Sequence, residues 1–527
     1  MNRTTLSLLA AVTALAAVTG LGALAAPDDG APARAESAAR LPVERSTLLC
    51  PAPSTSDIAE TTYTSVTPSA TERRAGGEAP SAVLRPSAAT PADPDAADKT
   101  GKGAATPDAD TAKGGAGTGA EAPKKPAPSK PFLTVKEPGK PVGGTASRGD
   151  APALIGSASG TLAPGWTTQQ TTTVSAGSGR GVLGLSCTAP DTDFWFPGAS
   201  LAKDRQDYVH LTNPDDAGAV ADIELYGKDG ALKSQLTEGI PVPPGASVPV
   251  LLSTLTSDRA EDVTVHVTTS TGRVGAVVRG AGDQTGSDWL PASTDPASTL
   301  VLPGIPADAT SVRLVAFAPG EDDADVKLQL AGPAGTITPA GHESLHVKSG
   351  MTATLDLKDL TKNEAGSLVL SPSASGRPTP LVAALQVARG KGPKQEIAFI
   401  PATAPVKERA TAADNRAKGS VLSLTAPGET ARVKVTASAG TQGGDGVVKT
   451  YTVKGGTTLA VTPPVPAGLK GSYALTVEPQ SGGPVHAART LLLPQDGIEM
   501  FTVQTLPDDR GLVEVPGAEQ DLTVLDD

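Results

Sequence analysis

The pattern with the most specific chemistry in this sequence is His342-Glu343-Ser344-Leu345-His346. It fits H-E-x-x-H, in which two histidines one helical turn apart bind zinc and the glutamate acts as general base in metalloproteases. That arrangement requires a helix, but a Pro-Ala-Gly run ends just before the motif and Gly350 follows it closely. We therefore predict a strand, in which His342 and His346 share one face with Glu343 on the other, and no zinc site.

Other residue patterns that could support chemistry are weak. The acidic run at 321–325 lacks the spaced ligands and the glycine of a calcium-binding loop, so we interpret it as a solvated turn. His210, His266 and His486 fall in strand-like segments with no nucleophile motif beside them. There is no G-x-S-x-G elbow, no P-loop and no dinucleotide fingerprint that follows a strand. The sequence predicts no catalytic residue, no cofactor and no metal, and hence a protein that is not an enzyme.

The two cysteines, Cys50 and Cys187, are the only ones in the chain. An even number of cysteines in an exported protein favours a disulfide. Each begins a similar tetrapeptide, Cys-Pro-Ala-Pro and Cys-Thr-Ala-Pro, and two similar strands lying side by side would bring the sulfurs within bonding distance. We predict a Cys50–Cys187 bridge, with two buried free thiols as the alternative.

The N-terminus has the pattern of an export signal. Arg3 precedes an apolar run from Leu6 to Ala26, and small residues before Ala25 fit a cleavage site after that residue. The run is also long enough to span a bilayer, so residues 1–26 are either a cleaved signal peptide or a single uncleaved membrane anchor. Both alternatives predict a location outside the cytoplasm, in the cell envelope or the extracellular medium.

Composition and charge narrow the fold class and the partners. The chain has 527 residues, with 58 Gly and 48 Pro against 3 Trp, 5 Tyr and 6 Phe. Many turn residues and few aromatics favour short strands over long helices, and the length requires several domains. The net charge of −12 and the absence of a long Lys/Arg cluster argue against nucleic-acid binding.

A repeat with a period near 105 residues organises the chain after Cys187. Gly245, Gly350 and Gly456 each open a strand-like segment and lie 105 and 106 residues apart, and three further strand patterns recur in step with them. Six or seven short strands per unit predict an all-β protein with about three tandem immunoglobulin-like β-sandwich domains. We place these domains at residues 180–297, 298–405 and 414–507.

The remaining segments are assigned from composition. Residues 41–66 contain strand-like runs and are expected to dock on the first domain. Residues 67–163 are rich in Ala, Pro, Gly and Thr, which predicts a long disordered insertion. Residues 508–527 are expected to form an acidic C-terminal tail.

The three tryptophans bear on glycan binding, because flat rings stack on sugars. Trp166, Trp195 and Trp289 do not form a strip along one strand. We expect Trp195 and Trp289, each near a proline that ends a strand or marks a domain joint, to lie in cores or domain seams.

Four short motifs together carry a resemblance to a known family. They are Cys50-Pro51-Ala52-Pro53, Cys187-Thr188-Ala189-Pro190, Phe194-Trp195-Phe196-Pro197-Gly198 and Trp289-Leu290-Pro291-Ala292-Ser293. From about residue 40 to the C-terminus the chain resembles uncharacterised secreted or membrane-anchored actinobacterial proteins of streptomycete type that share a domain of unknown function. The resemblance implies export and a non-enzymatic role.

Three observations lead to one functional expectation. They are the repeat, the export signal and the lack of a set of catalytic residues. We predict a cell-envelope-associated structural spacer or protein-interaction platform whose partner is an unknown envelope protein. The alternative is a module that binds cell-wall glycan, and a hydrolase is the least favoured reading.

Overall fold

A computed structural model describes residues 39–69, 79–88, 130–149, 151–177, 179–283, 285–373 and 377–515. The chain divides into two units, one with the residues up to Leu41 and from Val513, the other with Pro42–Leu512. Strand β1 is Ala39–Pro42. The first half of the larger unit contains β2 (Arg45–Cys50), β3 (Ala59–Val66), β4 (Ser81–Pro86), β5 (Leu133–Val135), β6 (Val142–Ser147), β7 (Leu154–Ser159), β8 (Thr167–Val174), β9 (Gly181–Ser186), β10 (Asp193–Ala199), β11 (Tyr208–Thr212), β12 (Ala219–Gly227), β13 (Gly230–Ala231), β14 (Ile240–Val242), β15 (Ser247–Leu251), β16 (Val263–Thr271), β17 (Gly275–Gly282) and β18 (Gly286–Leu290).

The second half continues with the same kinds of element. Its strands are β19 (Leu300–Ile305), β20 (Ser311–Phe317), β21 (Ala324–Ala331), β22 (Thr336–Ile337), β23 (Ser344–Val347), β24 (Thr352–Lys358), β25 (Gly366–Pro372), β26 (Val382–Arg389), β27 (Glu396–Pro401), β28 (Ala410–Asn415), β29 (Ser420–Ala426), β30 (Ala431–Gly440), β31 (Gly443–Asp445), β32 (Val447–Val453), β33 (Thr457–Val461), β34 (Ala467–Lys470), β35 (Tyr473–Gly482), β36 (His486–Leu492) and β37 (Phe501–Leu506). The last strand, β38 (Leu512–Val515), lies in the smaller unit except for its first residue. Across both halves, the described residues include single 3-10 turns at Gly160–Leu162, Leu252–Thr254 and Gly392–Lys394. The predicted all-β class is confirmed.

Eight of the sheets form four two-sheet sandwiches, with strands β2–β9, β10–β18, β19–β27 and β28–β37. All four have one topology. If the seven main strands of a sandwich are numbered in order, one sheet runs 1-5-3 and the facing sheet runs 4-2-6-7, with antiparallel pairing throughout. In the second sandwich these sheets are β10-β16-β12 and β15-β11-β17-β18, and in the first they are β2-β7-β4 and β6-β3-β8-β9. The four sandwiches are therefore copies of one unit.

Period-two alternation of apolar residues builds each core. In β16, which pairs with β10 and β12, Val263, Val265 and Val267 are all fully buried on the core side of the sheet, while the residues between them differ in exposure. The repeated glycine marks the turn before strand 4, and Gly245, Gly350 and Gly456 have φ of 64°, 67° and 70°. This left-handed conformation favours glycine, which explains why the residue type recurs. Gly139, with φ of 78°, occupies the same place before β6 and belongs to a fourth copy of the repeat.

The first sandwich was not predicted as a domain. Residues 41–66 do not merely dock on a neighbour, because β2 and β3 pair with β7 and β8 inside their own sandwich. The prediction of disorder for 67–163 is wrong for 81–86, 133–135, 142–147 and 154–159, which are strands. Leu84 and Leu154 of these strands are fully buried and belong to the core of the first sandwich. Residues 70–78 and 89–129 of the predicted insertion lie outside the described residues.

Two predicted boundaries also change. β9, placed in the domain at 180–297, pairs with β8 and completes the first sandwich. Part of the predicted tail at 508–527 is the strand β38, which pairs with β1 within the smaller unit, while residues 516–527 lie outside the described residues. The predicted signal or anchor at 1–26 is likewise outside them. No helix in the described parts of the chain is long and apolar enough to cross a membrane.

Within Pro42–Leu512 the four sandwiches form a closed cycle. The seventh strands pack against one another in order, β9 on β18, β18 on β27, β27 on β37, and β37 back on β9. We call these four strands the central strands. The first strands of the second, third and fourth sandwiches also contact the sixth strand of the next sandwich, as β10 contacts β26, β19 contacts β36 and β28 contacts β8. Each sandwich is thus held by two neighbours.

Candidate functional site

The predicted disulfide between Cys50 and Cys187 is confirmed. Cys50 ends β2 and Cys187 directly follows β9, and both are buried. Two backbone hydrogen bonds between Leu49 and Thr188, of 2.8 and 3.0 Å, align the two segments. The bridge therefore joins the first strand of the first sandwich to the connection that leads into the second.

The H-E-x-x-H segment is not helical. Ser344–Val347 forms β23, which pairs with β21, so the predicted strand is confirmed, although His342 lies in the turn before it. Both ring nitrogens of His346 face carboxylates, with Nδ1 2.8 Å from Asp325 and Nε2 3.3 Å from Asp323. The side chain of Glu343 accepts a hydrogen bond from the Gly341 amide. The two histidines and the glutamate do not share the helical face that zinc proteases need.

The acidic run at 321–325 uses its carboxylates in local contacts. Asp322 pairs with Arg377 at 3.2 Å, and Asp323 accepts a 2.8 Å hydrogen bond from the Ser349 amide. In the described parts of the chain no group of three or more His, Cys, Asp or Glu side chains is arranged to hold a metal ion.

Two of the five histidines are buried and neutral at ordinary pH. Burial lowers the pKa of His210 to about 3, assisted by the charge of Arg279. Burial also lowers the pKa of His486 to about 4. The Thr403 carbonyl, 2.9 Å from His486 Nδ1, opposes this shift. His210 packs edge-on against Trp289. Both histidines serve as packing residues.

The tryptophans divide into two kinds. Trp166 and Trp289 are 3% and 1% exposed, so neither ring can stack on a ligand. The Trp166 indole donates a 2.8 Å hydrogen bond to Ser65. Trp195 is partly exposed and lies on β10, where it belongs to a row of polar and aromatic side chains.

This row crosses three adjacent strands of the second sandwich and is a candidate surface site. The strand register places His266 of β16 directly between Trp195 of β10 and Glu224 of β12. The His266 ring stacks on the Trp195 ring, with centroids 3.6 Å apart and planes 8° from parallel. Its nitrogens lie 3.3 Å from Glu224 and 3.3 Å from Asp193. We call Asp193, Trp195, Glu224, Tyr226 and His266 the carboxylate–aromatic row.

The third sandwich covers part of the row. Phe317 stacks against Trp195 at 5.3 Å and packs on Tyr226 at 4.6 Å, and the Thr352 hydroxyl donates a 2.7 Å hydrogen bond to the Tyr226 carbonyl. The Tyr226 hydroxyl donates to Glu224 at 2.7 Å, and burial together with this bond raises the pKa of the tyrosine. The carboxyl groups of Asp193 and Glu224 stay more than half exposed. The row therefore offers acceptors to solvent but little free aromatic surface.

Sequence reasoning placed Trp195 in a core or a domain seam and found no nucleophile motif beside His266. It did not connect either residue with Asp193, Glu224 or Tyr226. These residues lie on three strands separated by up to 73 positions. Strand alternation indicates that Asp193 and Trp195 share a face, and that Glu224 and Tyr226 share a face. Alternation along one strand does not identify the strand beside it. Only the register shows the row.

One comparison with known proteins identifies a family, and it assigns no activity. Residues 142–464 match a family of unknown function, DUF5719. No curated protein and no solved structure is detectably similar to the chain. The match begins in β6 of the first sandwich and ends just after β33 of the fourth, so it covers more than half of the sequence and parts of all four copies of the repeat. This protein of four cyclically packed sandwiches belongs to the DUF5719 family.

Proposed function

We propose that this is an exported protein of the cell envelope, without enzymatic activity, that serves as a platform for binding another protein. The observation that carries the proposal is the outer edge of β32. β32 has seven residues and no proline, and in the described structure it pairs on one side only, with β30. A strand edge of that length offers unpaired amides and carbonyls to an extended segment of a partner.

The equivalent edges of the other sandwiches are shorter. β5 and β14 have three residues each, β14 contains Pro241, and β23 has four residues. Short strands and prolines are common ways to block strand addition. The exposed face of β32 carries Val448, which is 57% exposed, together with Thr450 and Thr452. These β-branched side chains favour pairing with another strand.

The cyclic packing favours a platform over an extended spacer. A spacer gains length when each domain contacts only the domains before and after it in the chain. Here the fourth sandwich also contacts the first, through β37 on β9 and β28 on β8. This closure fixes the positions of the four copies and keeps the β32 edge in one orientation. The Cys50–Cys187 bridge supports the proposed export, because such bonds persist in oxidising compartments.

The test is site-specific photo-crosslinking in living cells. A photoreactive residue at Thr450 should give one discrete protein adduct, identified by mass spectrometry in the envelope fraction. The matched control is Ile337, which is 56% exposed on the two-residue strand β22 and should give no such adduct. Val448→Lys should abolish the Thr450 adduct. Equal labelling from both sites, or none from either, would count against the platform.

The carboxylate–aromatic row favours a second candidate, a module that binds cell-wall glycan. Asp193 and Glu224 could accept hydrogen bonds from sugar hydroxyls, with Tyr226 beside them. Retention on purified wall material should then fall at least tenfold in the double variant Asp193→Asn, Glu224→Gln. Asp325→Asn, which alters an exposed carboxylate next to a histidine in the third sandwich, is the control. Unchanged retention in the double variant would remove this candidate.

A further inference from the structure

A cavity of about 270 Å³ lies where the third sandwich meets the fourth. Its lining residues come from both sandwiches and are Pro333, Ala365, Thr452, Lys454 and residues 457–460 of β33. Pockets that bind small molecules commonly measure about 300–1,000 Å³. A smaller cavity with apolar walls, threonine hydroxyls and one ammonium group suits the end of a single polar side chain better than a whole ligand.

Two hydrogen bonds between the sandwiches fix the walls of this cavity. The Thr458 amide donates to the Gly332 carbonyl at 3.0 Å, and the Thr336 hydroxyl donates to the Gly456 carbonyl at 2.8 Å. The bond to Gly332 also occupies an amide of β33, whereas β32 pairs only with β30 in the described structure. The cavity is therefore formed before a partner binds, and the open strand edge beside it is that of β32.

The cavity lies at the end of this edge. Thr452 belongs to β32 and also lines the cavity, and Lys454 directly follows the last residue of the strand. A segment that pairs with β32 alternates its side chains between two faces. If it continues past Thr452, it reaches the cavity and can place one side chain there.

The end of β32 beside the cavity carries positive charge without a counter-charge. Arg432 lies opposite Thr452 in the strand register, and both Arg432 and Lys454 are exposed. No carboxylate of the described residues lies within ion-pairing distance of either cation, whereas Lys434, farther along β30, has Glu478 at 2.8 Å. In a chain with a net charge of −12, this part of the surface is suited to an acidic partner.

We propose that the segment bound by the platform is extended and places an Asp or Glu carboxylate in the cavity beside Lys454. This inference rests on the proposed platform function and specifies the chemistry of the partner. Lys454 donates to the carboxylate, and the Thr452 hydroxyl is a second donor. Pro333 and Ala365 contact the methylene groups of the same side chain. At the other end of β32, Val448 receives a β-branched or apolar side chain of the segment.

The test measures the Thr450 photo-crosslink in living cells with charge variants of the full chain. Lys454→Glu should lower the yield of the adduct at least about fivefold, because it sets two carboxylates against each other. Lys454→Arg keeps the charge and should retain the adduct. Lys418→Glu is the matched control and should leave the yield unchanged. Lys418 is exposed and precedes β29, at the opposite end of that strand from Ala426, which pairs with Thr457.

A second measurement identifies the group beside Lys454 in the unaltered protein. A carbodiimide joins an amine to a carboxylate in contact with it, so treated cells should yield Lys454 linked to an Asp or Glu of the protein that Thr450 captures. An adduct yield unchanged in Lys454→Glu, a Thr450 adduct without a Lys454 link, or a link to a carboxylate that is not of protein origin would each overturn the inference and leave the platform standing. Absence of any Thr450 adduct in the wild type would overturn both.

Discussion

Thr502 Oγ1 lies 2.9 Å from Asp288 Oδ2, a bond that joins the fourth sandwich to the second. The other oxygen, Oδ1, accepts hydrogen bonds from the amides of Gly184 at 3.1 Å and Trp289 at 2.8 Å. Asp288 is 0% exposed. One buried carboxyl group therefore connects three of the four central strands, and the fourth, β27, packs beside β18 and β37.

Replacing Asp288 by Asn should change how stability depends on pH. Burial raises the pKa of Asp288 in the folded protein, so its stabilising contribution is complete below about 3.9, the value for an unfolded aspartate. The contribution is lost as the pH rises through the folded pKa. An Asn side chain keeps the two amide bonds through its oxygen and can donate to Thr502. We expect equal stability near pH 4 and a variant more stable by about 1–3 kcal/mol at pH 8.

Denaturant or thermal unfolding of both proteins at several pH values between 4 and 8 measures this difference. Burial also raises the pKa of Glu396 to about 7, against the opposing effect of Arg180, and the charge of Glu396 further raises the pKa of Asp288 in the wild type. Asp288→Ala is the control, since it removes the hydrogen bonds and should destabilise at every pH. A constant offset between the wild type and Asp288→Asn across the range would contradict the raised pKa.

A methyl group added at Gly184 should weaken the packing of the central strands. A Cβ atom at Gly184 would lie 2.5 Å from Thr502 Cγ2 and 2.7 Å from Thr502 Oγ1, so β9 and β37 would have to separate. Gly184→Ala should therefore cost about 1–3 kcal/mol of unfolding free energy. Gly335→Ala is the matched control, because nothing lies within 4 Å of the added atom there. Equal melting temperatures for the two variants would show that the central strands are not tightly packed.

The sequence predicted three of the four sandwiches, and the reason it missed the first lies in β8. That strand reads Thr-Thr-Gln-Gln-Thr-Thr-Thr-Val, and Thr168, Gln169, Gln170 and Thr172 are nonetheless fully buried. Hydrophobic alternation cannot identify a strand whose buried side chains are polar. Three of these side chains have hydrogen-bond partners: Thr168 and Thr172 bond to Ser65 and Thr61 of the neighbouring strand, and Gln169 accepts from Arg489 of the fourth sandwich.

The cyclic packing was also beyond sequence reasoning. The repeat of 105 residues shows that the copies are alike, but contacts between β9 and β37 join segments more than 300 residues apart. By contrast, the glycine turns and the disulfide were predictable because each depends on one residue type with one geometric requirement. The surface row was not, because it depends on the register of three strands.

Removing the disulfide should destabilise the first sandwich selectively. The bridge closes a loop of 137 residues, and a loop of that length corresponds to about 2–5 kcal/mol of stabilisation. In the double variant Cys50→Ala, Cys187→Ala we expect a lower unfolding midpoint and faster proteolysis within β2–β9 than within β28–β37. Non-reducing peptide mapping of the wild type should recover the two cysteines in one linked peptide pair. Identical protease sensitivity with and without reductant would contradict this role.

The last prediction concerns the motif with the most specific chemistry. His342 lies in a turn, His346 faces Asp323 and Asp325 from β23, and Glu343 is bonded to the backbone at Gly341. A zinc protease needs both histidines and the glutamate on one side of a helix, around the metal. In this segment one histidine lies in a turn and the other in a strand, so the three side chains do not share such a face.

Purified protein should therefore carry less than about 0.1 zinc per chain by mass spectrometry of the metal. Glu343→Gln should leave the melting temperature of the protein unchanged, as expected for an exposed surface change. Stoichiometric zinc, together with a proteolytic activity that Glu343→Gln removes and Glu364→Gln leaves intact, would show that this segment rearranges into a helix on binding metal.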